Sequence, residues 1–430
     1  MWFRRDLRLH DHPALLAALD QGDVVPLFVD DPVFDTASPV RKALLHDLLL
    51  SLREATAGAL VVRRGRPVDV VSTLAAEIDA PTVFVTGDHT PYGRARDEAV
   101  AGALHGAGRH LQRVGSNYVV EPGMVRKPGG GPYAVFTPFL RSWRKHEHSV
   151  PAAAPSSPSW AEAPSDPLPA RPILDGSFED VMFDRGEAEA HARWDRFRAD
   201  GLGRYADRRN SPADAGTSGL SAALRFGVIH PRQLLAVIDY ENQHHLAFQS
   251  ELAWRDFYAG VLFHRPETAW WNVDRKLAGI QVDTGAAARE RFRRWCAGTT
   301  GFPIVDAGMR QLQRTGWMHN RVRMIVASFL VKDLHLPWQW GARYFMERLV
   351  DGDLASNNHG WQWAAGTGTD AAPYFRVFNP AAQQERWDAK GEYVRRWIPE
   401  LGKPDYPAPM VDHAAERAEA LRRYKAARER

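Results

Sequence analysis

The sequence lacks the residues and segments on which several common kinds of site depend. Its 430 residues include a single cysteine, Cys296, which excludes an intramolecular disulfide and any metal cluster built from cysteines. It has no run of about 18 uncharged apolar residues, so no membrane span is expected. The charged start, MWFRRDLRLHDHP, has no apolar core of the kind that a signal peptide needs. We therefore expect a cytoplasmic protein.

Motifs for metals and for ordinary dinucleotide binding are also missing. The histidines do not form HExxH or a comparable ligand spacing. The string DGDLASN has alternating acidic residues, but it lacks the glycine and the terminal glutamate of a calcium loop. No GxGxxG fingerprint follows a predicted strand. The sequence thus predicts no metal site and no ordinary dinucleotide site.

The composition is that of a globular protein with an aromatic-rich second half. Hydrophobic residues make up 44% and charged residues 25% of a chain long enough for two or three cores. A net charge of only +3 still leaves room for a local basic face, so nucleic acid is a permitted partner. Of the fifteen tryptophans, eleven lie at or after Trp254. Most of the large aromatic surface therefore belongs to the C-terminal part.

Sequence periodicity predicts two structured regions and a connection between them. Short β-branched runs alternate with helical patterns over residues 1–125, which is typical of a doubly wound α/β domain with a parallel sheet. The first strand is so short that we expect it to begin before residue 1. Residues 126–186 contain KPGGGP and a Pro/Ala/Ser-rich stretch, which indicates a long interdomain linker. Residues 187–430 are predicted to form a larger all-α domain that ends in a charged, solvated helix.

Two predicted helices each bring polar and apolar side chains to one face. In SELAWRDFY, Glu251, Trp254 and Arg255 have i, i+3, i+4 spacing, which places an acid, a flat ring and a cation together. The same spacing recurs in Asn320, Arg323 and Met324. These faces suit a ligand that is stacked and hydrogen-bonded. The alternative is that the tryptophan and methionine belong to the core and the arginine to a surface ion pair.

Two further polar clusters are candidate ligand contacts. Thr217, Ser218 and Ser221 precede a predicted helix, where hydroxyl and free N–H groups could bind phosphate. Ordinary N-capping explains the same residues equally well. In DGDLASNN, Asp351 and Asp353 can accept hydrogen bonds from a ligand, and the asparagines that follow can both donate and accept them.

These stretches together resemble the DNA photolyase and cryptochrome family, and most closely its class I cyclobutane pyrimidine dimer photolyases. The resemblance extends over essentially the whole chain and is densest between residues 298 and 400. It is carried by WFRRDLRLHDHPAL, ELAWRDFY, TGFPIVDAGMRQL, TGWMHNRVRM, DGDLASN, GWQWAAGTGTDAAPYFRVFNP and RRWIPEL. It implies an FAD bound in a U shape within the helical domain.

The resemblance assigns residues to this FAD. Arg323 would pair with Asp351, and Asn357 would lie against the flavin N5. The full set of residues implied to hold the cofactor is Tyr205, Thr217, Ser218, Gly219, Leu220, Ser221, Arg323, Asp351, Gly352, Asp353 and Asn357. Gly219 departs from the family pattern, which commonly has an arginine there.

The resemblance also implies a site for a pyrimidine dimer that is flipped out of DNA. Glu251 and Asn320 would hydrogen-bond its bases. Trp254 and Trp363 would sandwich it, with Met324 packed beneath. Stacking contributes about 1–3 kcal/mol per base and so offsets the few kcal/mol that extrusion costs. The residues implied to contact the DNA backbone are Arg209, Arg255, Arg321 and Gln383.

Electron transfer to an oxidised flavin would use a chain of tryptophans. The resemblance makes Trp361 its inner member and Trp338 the next; the alternative is that both rings only pack the core. The usual third tryptophan is missing near residues 280–285, where this chain has IQVDTG. The residues that could replace it are Trp270, Trp271, Trp295 and Tyr344.

The predicted function is light-dependent repair of cyclobutane pyrimidine dimers by electron transfer from photoexcited reduced FAD. The expected partner is UV-damaged DNA, and the enzyme is expected to be a monomer, bound to the nucleoid through DNA, with no obligate protein partner. An antenna chromophore would be 8-hydroxy-5-deazaflavin rather than methenyltetrahydrofolate, because VTGDHTPYGRARDE lacks the Asn-Glu pair expected for the folate; an empty antenna site is the alternative. The competing functions are a cryptochrome-like blue-light photoreceptor, a (6-4) photolyase, a generic flavin oxidoreductase and a flavin-free DNA-binding module.

Overall fold

The structure is a computed structural model that describes residues 1–174, 183–370 and 376–429. Part of the expected linker and part of the motif GWQWAAGTGTDAAPYFRVFNP lie outside the described residues. Among the helices that the structure does describe, none combines the length and the apolar composition that a bilayer crossing requires.

The N-terminal region is a parallel α/β structure, as the sequence predicted. Its strands are β1 (Trp2–Phe3), β2 (Leu27–Asp30), β3 (Val61–Arg64), β4 (Thr82–Gly87) and β5 (His110–Ser116). The connecting helices are α1 (Pro13–Leu19), α2 (Pro39–Ala55), α3 (Pro67–Glu77) and α4 (Pro91–Gly106). β2 pairs in parallel with both β1 and β3, β4 pairs in parallel with β5, and β1 contacts β4. The right-handed crossover rule for such units puts helices on both faces.

Strands β1, β2 and β4 are buried on both faces, which explains why most of their residues are apolar, whereas β5, HLQRVGS, is largely exposed. In β2, Leu27 and Val29 belong to a core on one face, whereas Phe28 between them belongs to a core on the other. This alternation follows from the two-residue period of a strand. The core around Phe28 continues into the helical region and includes Trp194 and Phe257. The two regions therefore share one hydrophobic core.

The predicted linker contains a helix that the Pro/Ala/Ser-rich composition concealed. α5 (Phe136–Trp143) buries Phe136, Phe139 and Trp143. These residues are spaced i, i+3 and i+7, so they lie on one helix face. Farther along, the linker follows the sheet, because Ala161 N donates to Val24 O at 2.9 Å and Asp166 N donates to Val62 O at 2.7 Å.

The rest of the described chain is helical. It comprises α6 (Glu187–Asp200), α7 (Tyr205–Arg208), α8 (Ser221–Phe226), α9 (Pro231–Leu235), α10 (Gln243–His264), α11 (Ala286–Ala297), α12 (Pro303–Thr315), α13 (Asn320–Ser328), α14 (Trp338–Arg348), α15 (Leu354–Ala365), α16 (Pro380–Trp387), α17 (Glu392–Trp397) and α18 (His413–Arg428). A π-helical turn, Phe329–Asp333, continues α13. Side chains cap the helices that matter most for the site: Asn242 begins α10, His319 begins α13 and Asp353 begins α15.

The C-terminal helix is docked on the protein, which differs from the expected solvated end. His413 Nδ1 contacts the fully buried Asp333, and Glu416 lies 2.7 Å from His335 Nε2. Arg423 Nη1 lies 2.7 Å from Asp283, in the segment where the family's third tryptophan was expected. Several charged side chains of the C-terminal helix therefore form ion pairs with the rest of the protein and are not simply solvated.

Candidate active site

Three helices carry the residues predicted to bind the pyrimidine dimer. Glu251 and Trp254 lie on α10, Asn320 and Met324 on α13, and Trp363 on α15. α15 packs against both α10 and α13 and so connects the two helices that the sequence singled out. Asn320 is exposed, whereas the other four side chains are partly buried.

Trp254 is held by an aromatic stack that sequence reasoning missed. Its ring lies parallel to that of Phe136, with centroids 3.7 Å apart and an interplanar angle of 7°. Phe257 also packs edge-on against it. Phe136 comes from α5, 118 residues earlier in the chain. The helix pattern of FTPFLRSW was the available signal, but it gave no indication of which tryptophan Phe136 would meet.

Glu251 and Arg209 form an ion pair, although the sequence assigned them to different partners. Arg209 Nη2 lies 2.8 Å from Glu251 Oε1, and the guanidinium also lies over the ring of Tyr205. Partial burial raises the pKa of Glu251, and Arg209 opposes this shift. Arg209 thus fixes one oxygen of the carboxylate, and the second oxygen is available to a ligand.

A cavity of about 450 Å³ opens beside Met324 and Trp363. Arg321 and Gln383, which were predicted to contact the DNA backbone, are among its lining residues. Among the residues that the structure describes, the lining consists of Asn210, Arg321, Met324, Trp363, Arg376, Phe378, Gln383, Arg386 and Trp387. Glu251, Trp254 and Asn320 are not part of this lining. The structure therefore brings together four of the predicted contacts in one cavity.

The cavity combines flat rings with positive charge, and no carboxylate is found among the described residues of its lining. The guanidinium groups of Arg321 and Arg386 each lie 4.6 Å from the Trp387 ring centroid. Burial lowers the pKa of Arg321, and the neighbouring charges of Arg209 and Arg386 lower it further. Arginines that repel one another in this way favour a polyanion as ligand. Sequence reasoning missed Arg386 and Trp387, which follow NPAAQQ on α16.

The contacts of Arg255 favour a structural role over the predicted DNA contact. Its Nη1 donates to Asn117 O at 2.7 Å and its Nη2 to Leu224 O at 3.2 Å. The guanidinium also lies 4.4 Å from the Tyr118 ring centroid. The resemblance implied a DNA contact for Arg255, but in this structure its long side chain reaches back to the loop that follows β5.

The Arg323–Asp351 pair implied by the resemblance is present, and it leaves one buried oxygen without a partner. Arg323 Nη2 donates to Asp351 Oδ2 at 2.8 Å, while its Nε donates to Met318 O. The Asp351 side chain is 3% exposed. Its Oδ1 accepts no hydrogen bond from any residue that the structure describes. A buried carboxylate oxygen of this kind fits an N–H or O–H donor of a bound flavin.

Asp353 anchors the loop that leads into α15. Its Oδ2 lies 2.7 Å from Arg5 Nη2, and its Oδ1 accepts the backbone N–H of Ser356. Burial alone would raise the pKa of this carboxyl, but Arg5, Arg225 and Arg255 outweigh burial and hold the pKa well below its usual range. Both oxygens already have partners, so their remaining lone pairs are what a ligand could use.

Gly352 lies where the chain passes close to a cation. A Cβ atom there would come within 2.6 Å of Arg41 Nη1. The Gly352 carbonyl accepts a hydrogen bond from Arg225 Nε at 2.8 Å. Burial lowers the pKa of Arg225 to about 9. The loop between Asp351 and Asp353 is therefore held in one position by buried guanidinium groups.

The amide of Asn357 is oriented by its neighbours. Its Nδ2 donates to Ala342 O at 3.0 Å and to Asn358 Oδ1 at 2.8 Å. Since both N–H groups are used, the carbonyl oxygen is the atom that can meet a ligand, and it can only accept. This suits the predicted position beside a flavin nitrogen that carries a proton.

The 217–221 segment leaves backbone donors free at the start of α8. Leu220 is the N-cap residue, and no side chain caps this helix. Ser218 Oγ accepts the Leu220 N–H at 3.4 Å, and Ser221 Oγ accepts from Trp317 Nε1 at 3.3 Å. The N-capping explanation is therefore not what the structure realises. Free N–H groups and hydroxyls together suit phosphate.

Gly219 has a conformation that disfavours the arginine common in the family. Its φ is +67°, in the left-handed region. An added Cβ atom would lie 3.1 Å from Nη1 of Arg193, whose Nε pairs with Asp184. The guanidinium of Arg193, on α6, therefore lies next to residue 219, where the family commonly has an arginine.

Trp361 contacts Trp295, one of the rings that the sequence analysis named as a possible third member of the electron-transfer chain. Trp361 is 2% exposed and packs edge-on against Trp295 with centroids 6.0 Å apart. Its Nε1 has no partner among the described residues. Trp338 donates from Nε1 to Asn272 Oδ1 at 2.9 Å. Of the possible outer rings, Trp270 is 52% and Trp271 is 64% exposed.

Comparison with known proteins agrees with this geometry. The family model for DNA photolyase matches residues 1–158, and the model for the FAD-binding domain of DNA photolyase matches residues 248–404. The deoxyribodipyrimidine photo-lyase of Halobacterium salinarum is 39% identical, over 99% of this chain and 98% of its own. The chain belongs to the DNA photolyase family. Because residues 248–404 match an FAD-binding domain, FAD is the cofactor that the site must accommodate.

Solved photolyase structures share the whole fold. A bacterial class III photolyase from Agrobacterium tumefaciens has a TM-score of 0.91 at 35% identity, covering 100% of this chain and 97% of its own. An archaeal photolyase from Sulfolobus tokodaii that holds two FAD molecules has a TM-score of 0.86 at 30% identity, covering 99% of each chain. A cryptochrome from Synechocystis has a TM-score of 0.87 at 28% identity, covering 98% of each chain.

Proposed function

We propose that this protein repairs cyclobutane pyrimidine dimers in DNA in a light-dependent reaction. The observation that carries the proposal is the cavity lined by Trp363, Met324 and Trp387 together with three arginines. Flat rings in such a cavity suit the faces of extruded bases, and guanidinium groups suit the phosphates beside them. The resemblance of the whole chain to photolyases supports the same function.

The protein's own contribution is to bind and orient the dimer. Trp254 and Trp363 provide ring faces, Glu251 and Asn320 provide hydrogen bonds to base edges, and Met324 packs beneath the bases. The Trp254–Phe136 stack fixes the indole plane, so only the opposite ring face can contact a base. Ring splitting needs no general acid or nucleophile from these residues. Their task is positioning and the exclusion of water.

FAD fits the polar cluster near α8, α13 and α15. Asp351 would accept a hydrogen bond through its unpaired Oδ1, and Asn357 would accept one through its amide oxygen. Thr217, Ser218, Ser221 and the neighbouring N–H groups would contact the phosphates and the ribityl chain, with Tyr205 and Leu220 packed nearby. When it is bound, reduced and excited by near-UV or blue light, FAD supplies the electron that opens the dimer. Arg323 holds Asp351 in place for this cofactor.

The DNA backbone would contact the arginine-rich rim of the cavity. We assign Arg209, Arg321 and Gln383 to this contact, and the structure adds Arg386. Arg255 is left out because backbone carbonyls already occupy its guanidinium. Contacts to phosphate set the register of the duplex and do not depend on sequence.

We propose that Trp361 and Trp338 conduct an electron between an oxidised flavin and the surface. An outer member must be accessible to a reductant, and the exposed Trp270 or Trp271 meets that condition next to Asn272, the partner of Trp338. Trp361→Phe should abolish photoreduction while leaving repair by chemically reduced protein intact. Loss of both activities would assign Trp361 to the dimer or flavin site instead.

The antenna and the subfamily are proposals of the same kind. Val33 and Phe34, about half exposed, lie after the carboxyl end of β2, where open α/β sheets bind ligands. We propose 8-hydroxy-5-deazaflavin there, with a second FAD as the alternative favoured by the Sulfolobus relative. Fluorescence of chromophores released from the protein would distinguish the two. The class I assignment, the monomeric state and the cytoplasmic, nucleoid-bound location stay predictions.

The deciding experiment is repair of UV-irradiated oligothymidylate. Reduced holoprotein under blue light should restore the absorbance of monomeric thymine, and the same mixture kept in the dark should not. Bound FAD with unchanged dimers in the light would favour the alternative function, a cryptochrome-like blue-light photoreceptor. Repair of (6-4) lesions without repair of cyclobutane dimers would show that the protein is a (6-4) photolyase.

A further inference from the structure

Two histidines and a glutamate converge at the junction between the N-terminal α/β region and the helical region. His10 lies in the segment after β1, and Glu187 and His191 lie at the start of α6. Each residue offers one ligand atom, and the three atoms lie within 4.8 Å of one another. The nitrogen His10 Nδ1 is 2.9 Å from Glu187 Oε1, and His191 Nε2 is 3.8 Å from the same oxygen.

We propose that His10, Glu187 and His191 bind one divalent transition metal ion such as Zn²⁺. In tetrahedral coordination with bonds of about 2.0–2.2 Å, ligand atoms are separated by about 3.3–3.6 Å. The two measured separations lie on either side of that range, so small side-chain rotations complete the geometry. Imidazole and carboxylate are ligands that Zn²⁺ and its neighbours prefer. A water molecule supplies the fourth ligand.

The carboxylate of Glu187 is already held for this purpose. Its Oε2 accepts the N–H of Leu9 at 2.8 Å, and its Oε1 accepts the N–H of His10 at 2.9 Å. Hydrogen bonds of this kind orient a ligand before the metal arrives and lower the cost of assembling the site. Glu187 and His191 are one helical turn apart, which puts both on the same face of α6.

The two imidazoles lie close together and are accessible from solvent. Their ring centroids are 5.2 Å apart, and the ligand atoms of the three residues lie within 4.8 Å of one another, so both rings can reach one ion. The side chains of His10 and His191 are 49% and 33% exposed, so an ion can enter from solvent. Gln233 Nε2 contacts His191 Nε2 at 3.4 Å, a long contact that the metal would replace.

A metal here would link residues 177 positions apart, across the junction of the two regions. The site is separate from the predicted flavin and dimer residues, so this inference does not depend on the proposed function. In the unfolded chain the three ligands are not held together, so the ion would bind mainly to the folded protein. Its binding would therefore raise the free energy of unfolding.

Calorimetric titration of chelator-treated holoprotein with Zn²⁺ alone tests this site. The parent should bind one ion, and its thermal midpoint should rise with added Zn²⁺. His191→Ala should weaken binding by at least about 10–100-fold, the range seen even for outer partners of a metal. His105→Ala, which removes an exposed histidine on α4, is the matched control and should bind like the parent.

Two results would overturn the site. One is the absence of stoichiometric Zn²⁺ binding to the parent, and the other is unchanged affinity in His191→Ala. Far-UV circular dichroism and FAD content establish that each variant is folded, and His191→Gln provides a second variant that retains a side chain of similar length. Cobalt substitution gives an independent readout, because the visible bands of a tetrahedral Co²⁺ complex should appear in the parent and be lost in both His191 variants.

Discussion

The stack of Trp254 on Phe136 makes a direct test of the dimer pocket possible. Trp254→Ala should weaken dark binding of UV-irradiated oligothymidylate by about 1–3 kcal/mol, roughly 5- to 150-fold, the value of one base stack. FAD content should stay near that of the parent, because no flavin contact is assigned to this ring. Binding is measured by fluorescence anisotropy, with the exposed Trp271→Ala as control. Loss of flavin before loss of DNA affinity would place Trp254 at the cofactor.

Arg255 and its carbonyl partners separate a structural arginine from a DNA-binding one. Arg255→Ala should lower the free energy of unfolding by about 1.5–3 kcal/mol, the range for hydrogen bonds to a charged group. The salt dependence of DNA binding should not change, because the guanidinium already meets Asn117 and Leu224. Chemical denaturation and DNA titrations at several salt concentrations give the two numbers. A smaller salt slope at full stability would restore the DNA assignment.

Helix α13 carries a titratable cap next to the pocket, and this predicts a pH dependence. His319 Nδ1 accepts the N–H of Arg321, so the ring must be neutral there. Burial lowers the pKa of His319 to about 4, and Arg323, Arg321 and Arg209 add to the shift. The unfolded chain binds this proton below a pKa of about 6.5, and the folded chain does not bind it until about 4. Stability should therefore fall as the pH drops from 6.5 to 4.

One proton contributes about 1.4 kcal/mol per pH unit within that window. His319→Asn keeps a good N-cap and removes the titration, so its unfolding free energy should decline less between pH 6.5 and 4. Urea unfolding across this range measures the difference, with the exposed His105→Asn as control. Equal pH slopes for the parent and His319→Asn would show that another group is responsible.

The spacing of residues along a single helix predicted which side chains share a face. It could not predict which segments that are distant in the sequence contact one another. The faces of α10 and α13 and the Arg323–Asp351 pair agree with the sequence because they follow from the helical repeat or from a strong family motif. Phe136, Trp387 and the His10–Glu187 contact depend on how separate segments meet in three dimensions. The environment of Arg255 could not be predicted either, because a long side chain can leave the face on which its Cβ lies; its DNA contact stays an untested prediction.

The helix α5 shows the opposite case, in which a local signal was present and composition obscured it. The surrounding Gly, Pro and Ser residues indicated a linker, and they outweighed the i, i+3, i+7 spacing of Phe136, Phe139 and Trp143. That short helix then supplies the ring beneath Trp254. A helix of only eight residues can be stable when its apolar face packs against an existing hydrophobic core.

Across the molecule, charge is distributed in a way that the total hides. The net charge is +3, yet Arg321, Arg376 and Arg386 line one cavity. Arg386→Ala should reduce the slope of log K against log salt by about 0.9 for duplex DNA, with equal losses for irradiated and unirradiated DNA. Titrations at several salt concentrations measure this. The control is Arg66→Ala, an arginine 77% exposed on the α/β region. A loss confined to irradiated DNA would make Arg386 a dimer contact.

The central claim is that one pocket brings an extruded dimer close enough to bound, reduced FAD for an electron to pass between them. The fluorescence lifetime of that flavin, measured with saturating oligothymidylate, tests the claim most directly. Irradiated DNA should shorten the lifetime, because electron transfer competes with emission, and unirradiated DNA should leave it unchanged. An unchanged lifetime while irradiated DNA is demonstrably bound would contradict the account.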